Sequence, residues 1–326
     1  MYREDLKFSL WADFIERDYL DNEFKELIDN KIINGATSNP AIFKNAILNS
    51  PAYKSQLSSL KGLSAKEKYE AVAIYDIQKA ADILKPLYDE GDDGYVSIEV
   101  DPFLCDDTEA TIAEGKRLFK AINRENVMIK VPATEAGYGA MQALTAAGIP
   151  VNATLVFKKS QAVKCAEAFK AGIAQSKKNV ATVISIFVSR IDRALDTTLA
   201  EHSIQTALTG IYNTSVIYEK IESMKVAGCR ALFASTGVKD DSLPPFYYVK
   251  NLLAYNSVNT APVETIKAFS KEGSCQAALP IKQSILNQHF IQLEAIGINL
   301  DEVLQKQIDD GLEAFKEAFE EILEAL

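Results

Sequence analysis

The sequence predicts an α/β fold, a single (β/α)8 TIM barrel that spans residues 1–326. Short β-rich runs alternate with longer amphipathic helical segments, and eight such runs are the number that closes a barrel. The chain has 326 residues, and such barrels range from about 200 to over 400 residues. No GxGxxG motif follows the first strand, which counts against the alternative architecture, a doubly wound open sheet.

The predicted strands are short and rich in β-branched and apolar residues. They cover Phe8–Asp13, Ile32–Asn39, Tyr95–Asp101, Val127–Pro132, Val151–Phe157, Val180–Val188, Arg230–Ser235 and about Asn256–Thr260. The segment Phe43–Gly91 is longer than one crossover needs, so extra helices are expected after strand 2. At the end of the chain, about residues 300–326, apolar side chains recur at helical spacing. This pattern predicts an amphipathic helix that packs on the barrel, and a lid over the barrel mouth is the alternative.

The composition is that of a globular protein with a large core, since 48% of the residues are hydrophobic and 25% are charged. No run of about 18 apolar residues occurs, and charges interrupt the first 25 residues. Neither a membrane span nor a signal peptide is therefore expected, and a cytoplasmic protein is the expectation. The net charge of −10 argues against general nucleic-acid binding, because phosphate contacts need clustered positive charge.

The chain carries few residues for disulfide, metal or histidine chemistry. The cysteines, which are far apart and form no CxxC motif, are Cys105, Cys165, Cys229 and Cys275. This spacing argues against a disulfide framework or a zinc site. The two histidines, His202 and His289, lie in helix-like segments, where a satisfied surface or interface residue is the simpler interpretation. Metal-dependent and histidine-triad mechanisms are therefore not expected.

Alternate side chains of a barrel strand face the interior and the helical ring, and this rule orients the polar residues. In Val127–Val131 the aliphatic face must meet the helices, so Lys130 faces inward. The same reasoning gives further inward-facing side chains, namely Ser9, Trp11, Asp13, Ser97, Glu99, Asn152, Thr154, Ser185, Phe187 and Ser235. Most of the polar ones lie near the carboxyl end of their strand, where the active sites of barrels are built.

An inward-facing lysine beside carboxyl groups has two interpretations. One is a structural ion pair of Lys130 with Glu99 or Asp13, because unpaired buried charge is costly. The other is nucleophilic catalysis, since burial disfavours the charged form of a lysine and a neutral amine attacks carbonyl carbon to give a Schiff base. Such a site also needs an acid or base and groups that hold a polyol. The side chains that suit these roles are Glu99, Asp13, Asn39, Asn152 and Thr154. The residues thus predict a barrel aldolase that works through lysine without a metal.

An ordered set of motifs resembles those of the transaldolase family. The motifs are WADF (11–14), GATSNPAIF (35–43), VSIEVDP (96–102), VMIKVPAT (127–134), VNATLVF (151–157), ISIFVSR (184–190) and ASTGVK (234–239). The resemblance implies a cofactor-free class I enzyme of the pentose phosphate pathway whose partners are sugar phosphates. The implied reaction transfers a dihydroxyacetone unit from a ketose donor, sedoheptulose 7-phosphate, to an aldose acceptor, glyceraldehyde 3-phosphate. Its products are erythrose 4-phosphate and fructose 6-phosphate.

The resemblance also implies roles for individual residues. Lys130 would form the Schiff base, and Glu99 and Thr154 would relay protons through a water. Asp13 would take the proton of the substrate hydroxyl on the carbon at which the C–C bond breaks. The substrate-binding residues that it implies are Asn39, Asn152, Ser185 and Arg190, with the phosphate on Arg190.

The phosphate ligands depart from one pattern of the family. Some members place an arginine soon after the serine of the seventh βα loop, whereas this chain has Ser235 and then Lys239. These two residues are expected to replace it, because the last two loops of such barrels often hold phosphate. Lysine lacks the bidentate fork of arginine, however. Arg190 can turn inward only if its strand ends near Val188.

Two other functions remain open from the sequence. An aldolase that releases free dihydroxyacetone would use similar lysine, carboxyl and amide groups. A barrel that binds sugar phosphate without catalysis would keep Lys130 as an ion-pair partner. The sequence leaves monomer and homodimer as the expected states, and it predicts neither a nucleic-acid nor a membrane partner.

Overall fold

The structure is a computed structural model, which describes residues 3–239, 242–272 and 276–326. Its parallel strands pair in sequence order and β1 also pairs with β8, so that the sheet closes into the predicted barrel. The strands are β1 (Ser9–Ala12), β2 (Gly35–Thr37), β3 (Tyr95–Glu99), β4 (Val127–Pro132), β5 (Val151–Val156), β6 (Thr182–Phe187), β7 (Cys229–Ala234) and β8 (Ser257–Ala261).

Helices connect the strands, and further helices follow the last strand. They are α1 (Arg17–Asp21), α2 (Glu23–Asp29), α3 (Pro40–Asn49), α4 (Lys54–Ser59), α5 (Ala65–Asp89), α6 (Thr108–Ile122), α7 (Glu135–Ala146), α8 (Lys159–Ile173), α9 (Ser189–Glu201), α10 (Thr209–Met224), α11 (Tyr247–Asn251), α12 (Val263–Ser270), α13 (Gln283–Ala295) and α14 (Leu300–Ala325). Short 3-10 helices cover Glu4–Leu6, Pro51–Tyr53 and Pro102–Leu104. No helix within the described residues is long and apolar enough to cross a membrane.

The extra helices expected after strand 2 are confirmed as α3, α4 and α5. Strand 2 itself was predicted over Ile32–Asn39, but only Gly35–Thr37 forms β2. The strand is short because α3 begins immediately after it. The Asn39 side chain accepts a hydrogen bond from the Ile42 amide at 3.0 Å and so caps α3.

The lower part of the barrel interior is filled by apolar side chains. Trp11 of β1 packs with inward-facing residues of the other strands, namely Met128, Val183, Leu232 and Val258. A Cβ atom on Gly35 would lie 2.5 Å from the Trp11 indole nitrogen, so only glycine lets the ring approach β2 this closely. The Trp11 indole donates to Asp93 at 3.0 Å, and Arg230 forms an ion pair with Asp93 at 2.7 Å. The interior is therefore packed beneath the polar layer at the carboxyl ends.

The inward orientation predicted for Ser235 by alternation would also turn Ala231 and Phe233 of β7 inward, and for these two residues the prediction is wrong. Leu232 and Ala234 face the barrel interior, whereas Ala231 and Phe233 pack in the outer core against the helices. Ser235 still reaches the cavity at the barrel mouth, because β7 ends at Ala234 and Ser235 adopts a left-handed conformation with φ 56°.

Strand β5 contains an irregularity that alternation alone does not reveal. Its register with β6 shifts between Ala153 and Val156, so that Thr154 and Leu155 together oppose one residue of β6. This is a β-bulge, and Leu155 has a left-handed φ of 56°. The Leu155 side chain consequently packs against α14 near Gly311, in the cluster that also contains Trp11 and Phe187.

The C-terminal amphipathic helix packs on the barrel, as predicted. The helix α14 contacts α3, α5, α9 and β5, and it contributes Ala314 and Phe315 to the lining of the cavity at the barrel mouth. An ion pair joins Lys44 of α3 to Glu321 of α14 at 2.9 Å. The helix therefore forms part of the cavity wall.

The described cysteines are Cys105, Cys165 and Cys229, and all three are buried free thiols. Burial raises the pKa of Cys229 to about 12, so this thiol is unreactive. Cys275 lies outside the described residues.

Candidate active site

A cavity of about 190 Å³ opens at the carboxyl ends of the strands. The residues predicted from sequence that line it are Asp13, Asn39, Lys130, Asn152, Thr154, Ser185, Arg190 and Ser235. Of the other two, Glu99 contacts Lys130 just behind the lining, whereas Lys239 is exposed and does not line the cavity. Barrel closure brings these side chains together, because the carboxyl ends of all eight strands meet at one rim.

The Lys130 amine is held between β2 and β3. Its side chain lies on β4 and is 5% exposed. The Nζ atom donates to the Ser38 carbonyl oxygen at 2.9 Å and lies 3.5 Å from Glu99 Oε2. The Ser38 hydroxyl in turn donates to the Ser97 carbonyl at 2.7 Å, which fixes this turn against β3. The amine is thus oriented by one carbonyl and one carboxyl group.

Glu99 is the carboxyl group nearest to the amine. It lies opposite Lys130 in the β3–β4 register. Burial raises the pKa of Glu99 to about 7, and the Lys130 charge opposes this shift. Its Oε2 atom is buried and makes no hydrogen bond within the described residues, and the same is true of Thr154 Oγ1. Each of these atoms therefore retains the capacity for one more hydrogen bond.

Asp13 follows β1 and lies on another side of the cavity. Its Oδ1 atom accepts a hydrogen bond from Thr37 Oγ1 at 2.7 Å. The Thr37 and Thr260 hydroxyl oxygens are also 2.7 Å apart, so Thr260 donates to Thr37. Burial raises the pKa of the Asp13 carboxyl, whereas the Lys130 charge lowers it.

Two asparagines present amide groups to the cavity. The carbonyl oxygen of Asn39 caps α3, which leaves its amide nitrogen for a ligand. Asn152 donates to Ser97 Oγ at 3.2 Å and accepts from Ser185 Oγ at 2.6 Å. Asn152 is thereby fixed between β3 and β6, and one lone pair of its carbonyl oxygen remains available.

A guanidinium group lies at the start of α9. Strand β6 ends at Phe187, and Arg190 is the second residue of α9. The strand thus ends early enough for Arg190 to turn inward, as the sequence analysis required. Its Cζ atom is 5.2 Å from the centre of the Phe187 ring. The described residues give the guanidinium neither an ion pair nor a hydrogen bond, and burial lowers its pKa. The Ser235 and Ser189 hydroxyls are 3.1 Å apart beside it.

Several lining residues were not predicted from sequence. Thr37 and Asn39 are two residues apart and therefore face the same side of an extended segment. Alternation along β2 could thus have predicted that Thr37 lines the cavity. Thr260 similarly lies near the end of β8. No local pattern indicates Ala314 and Phe315, because their position depends on how α14 docks.

Comparisons with known proteins identify the family to which the chain is similar. A family model described as Transaldolase/Fructose-6-phosphate aldolase matches residues 10–326. A curated transaldolase from Campylobacter jejuni subsp. doylei is 49% identical to the chain, and the alignment covers 98% of this chain and 99% of the relative. A curated transaldolase from Helicobacter pylori (strain Shi470) is 46% identical, with coverage of 97% and 98%.

Proposed function

The chain belongs to the transaldolase/fructose-6-phosphate aldolase family, and we propose that its transaldolase reaction proceeds through a Schiff base on Lys130. Relatives of nearly the same length carry the name transaldolase, which makes the chain a transferase that acts on sugar phosphates. One observation carries the Schiff-base assignment. The buried Lys130 amine borders the cavity, 2.9 Å from the Ser38 carbonyl oxygen and 3.5 Å from Glu99.

The proposed reaction begins when neutral Lys130 Nζ adds to the ketose carbonyl carbon, and the carbonyl oxygen leaves as water after two protonations. The resulting protonated imine accepts the electron pair of the bond between the carbons α and β to the imine carbon as that bond breaks, while the hydroxyl on the β carbon loses its proton and becomes the aldehyde. An aldose departs, and the three-carbon unit stays on lysine as an enamine. Attack of the enamine carbon on the acceptor aldehyde and hydrolysis of the new imine complete the transfer and restore the amine.

Glu99 and Thr154 move the protons of imine formation and hydrolysis in this proposal. A water held by Glu99 Oε2 and Thr154 Oγ1 would connect them, and both atoms are buried without a hydrogen-bond partner among the described residues. A carboxyl group with a pKa of about 7 both donates and accepts protons near neutral pH. This property supports Glu99 as the acid and base of the relay.

Asp13 is the base for the hydroxyl on the far side of the breaking bond. Its hydrogen bond from Thr37 leaves the other carboxyl oxygen for the substrate. The amides of Asn39 and Asn152, with the Ser185 hydroxyl, hold the remaining hydroxyls and the carbinolamine. These groups supply orientation, which is a large part of the rate gain for such a reaction.

Arg190 binds the phosphate of the sugar in this proposal. The guanidinium borders the cavity and forms no ion pair with the described residues, and the amino end of α9 favours negative charge. Ser235 adds a hydroxyl at the same place. Lys239 is left out of the proposed phosphate site, because its side chain is exposed and does not line the cavity.

Borohydride trapping tests the proposed function. The protein is mixed with fructose 6-phosphate and borohydride, which reduces an imine to a stable amine, and its peptides are analysed by mass spectrometry. We expect a reduced dihydroxyacetone adduct on Lys130, which is absent without sugar and in Lys130→Ala. If the protein binds the sugar but gains no adduct, Lys130 is a structural ion-pair partner of Glu99, and the binding-only function replaces the enzyme.

A second candidate reaction is the aldolase reaction, because the matching family model covers both activities. The enamine on Lys130 then takes a proton from water instead of attacking an aldehyde. Assays for free dihydroxyacetone with and without an acceptor aldehyde separate the two reactions. We expect free dihydroxyacetone to be a minor product when acceptor is present.

The organisation of the chain and its location complete the proposal. We propose that residues 1–326 act as one barrel domain and that the enzyme works in the cytoplasm. The unpaired Cys105, Cys165 and Cys229 support the second point, since reducing compartments keep thiols free.

A further inference from the structure

We propose that Gln161 is a positioning residue that fixes the bulge of β5 and thereby sets the orientation of Thr154. Gln161 lies in the first turn of α8 and does not line the cavity. It acts through the backbone of the strand end, without touching the substrate. This inference rests on the proposed role of Thr154 in proton transfer.

The Gln161 side chain uses its full hydrogen-bonding capacity at the ends of β4 and β5. It is 6% exposed. Its Oε1 atom accepts from the Phe157 amide at 2.9 Å and from the Lys158 amide at 3.0 Å. Its Nε2 atom donates to the Ala133 carbonyl at 2.9 Å and to the Leu155 carbonyl at 3.1 Å. Two donors and two acceptor sites are all that a side-chain amide offers.

These hydrogen bonds stabilise the backbone conformation of the bulge in β5. Leu155 has a left-handed φ of 56°, which residues other than glycine rarely adopt. Such a conformation persists only where its surroundings hold it. The Gln161 amide holds the carbonyl of Leu155 and also that of Ala133, whose own amide donates to the Thr154 carbonyl at 2.9 Å. One side chain therefore joins the strand ends that carry Lys130 and Thr154.

Thr154 depends on this backbone for its orientation. Its hydroxyl makes no hydrogen bond within the described residues, so no side-chain partner holds it. A threonine is restricted at χ1, and its hydroxyl direction therefore follows the backbone. Loss of the bulge geometry would rotate the hydroxyl away from the place where it meets a water and Glu99.

Capping of α8 alone does not explain why residue 161 is a glutamine. A cap of α8 needs only the two bonds accepted by Gln161 Oε1, and glutamate provides the same acceptor with a charge that suits a helix amino end. The two bonds donated by Nε2 require an amide. Gln161→Glu and Gln161→Met thus separate capping from support of the bulge.

The kinetic test compares kcat with KM in these variants. We expect Gln161→Met and Gln161→Glu to lower kcat about tenfold while KM changes less than about threefold, since proton transfer is impaired but binding is not. The rate of borohydride trapping on Lys130 falls in parallel. The matched control is Gln78→Met, because Gln78 donates to the Ile122 carbonyl at 3.0 Å away from the cavity. We expect the control to keep the parent kcat.

A double-mutant cycle with Thr154→Ala decides whether Gln161 acts through Thr154. On the Thr154→Ala background, we expect Gln161→Met to reduce kcat by no more than about twofold, because its target is already gone. Losses that multiply in the double variant would overturn the inference, as would an unchanged kcat in Gln161→Met. If Gln161→Met does not fold, Gln161→Glu, which keeps the helix cap, takes its place in the cycle. Borohydride trapping of the parent protein tests the proposed function separately. If that function is wrong, the parent itself gives no Lys130 adduct.

Discussion

Thr37 Oγ1 donates a 2.7 Å hydrogen bond to Asp13 Oδ1 and so links the ends of β2 and β1 inside the cavity. Thr260 of β8 extends the chain of hydrogen bonds to a third strand. The Asp13 carboxyl is therefore held by the barrel itself and not by a mobile loop, which suits a base that must meet one substrate hydroxyl.

Thr37→Val tests this arrangement, because it removes the hydrogen bond at nearly constant volume. We expect kcat to fall about tenfold with little change in KM, and Asp13→Asn to lose about 100-fold or more, as for loss of a general base. Steady-state kinetics of the transfer reaction measure both effects. Thr265→Val in α12, a buried threonine outside the cavity lining, is the control. Equal kcat in Thr37→Val and the parent would remove Thr37 from the mechanism.

Glu99→Gln is expected to change how the rate depends on pH. The Glu99 carboxyl has a pKa raised to about 7, so it is protonated below and ionised above that pH. The trapping rate of the parent should show an inflection near this value, which the variant lacks. The amide cannot carry a proton, so its rate should also fall about 100-fold. Trapping rates between about pH 5.5 and about pH 9 check this, and an inflection that survives in Glu99→Gln would assign it to another group.

Arg190→Lys is expected to weaken phosphate binding. The fork of the guanidinium is lost, which costs about 1.5 to 3 kcal/mol for a charged hydrogen bond, or about 10- to 150-fold in KM. Activity with dihydroxyacetone and an aldehyde that lacks phosphate should change little. Arg193→Lys, at an exposed position of the same helix, is the matched control. A KM effect of the same size on substrates without phosphate would contradict the assignment.

Phe315→Ala tests the contribution of α14 to the cavity wall. Phe315 is 6% exposed and packs with the interior cluster, so we expect the free energy of unfolding to fall by about 3 kcal/mol. Water should also reach the enamine more easily, which raises the share of free dihydroxyacetone among the products. Chemical denaturation and product analysis measure the two effects. Phe103→Ala, at a side chain that is 50% exposed, serves as control and should alter the product ratio little.

Asp192→Asn should remove a pH dependence of stability. Asp192 is fully buried and accepts hydrogen bonds from the Gly210 amide at 2.7 Å and the Tyr248 hydroxyl at 2.9 Å. Burial raises its pKa to about 7, above the value of 3.8 for a free aspartate. Its contribution to stability is therefore full below pH 3.8 and is lost as the pH rises through about 7.

Urea denaturation at several pH values measures this contribution. Between the two pKa values, the free energy of unfolding should fall by about 1.4 kcal/mol per pH unit from this group alone. The difference between the parent and Asp192→Asn isolates it from Glu99 and Asp13, whose raised pKa values act in the same direction. A difference that does not vary with pH would show that Asp192 keeps one protonation state.

Alternation along the strands predicted much of the site from sequence. Lys130, Asp13 and Thr154 were placed inward by their apolar neighbours, and they line one cavity. The same rule was wrong in β7 and incomplete in β5, because Ser235 and Leu155 have left-handed backbones that break a period of two. Nothing in the residue types at these positions indicates a positive φ.

The sequence by itself determined the number and order of the strands, the lysine on β4 and the polar groups beside it, since burial imposes a local period on side chains. Tertiary structure alone decided that the Lys130 amine meets the Ser38 carbonyl, that Phe315 closes one wall and that Gln161 joins two strand ends. These contacts link residues that are distant in the chain, and their geometry depends on barrel closure, a bulge and helix docking. Periodicity reports which face of an element is buried, but not which distant atoms it meets.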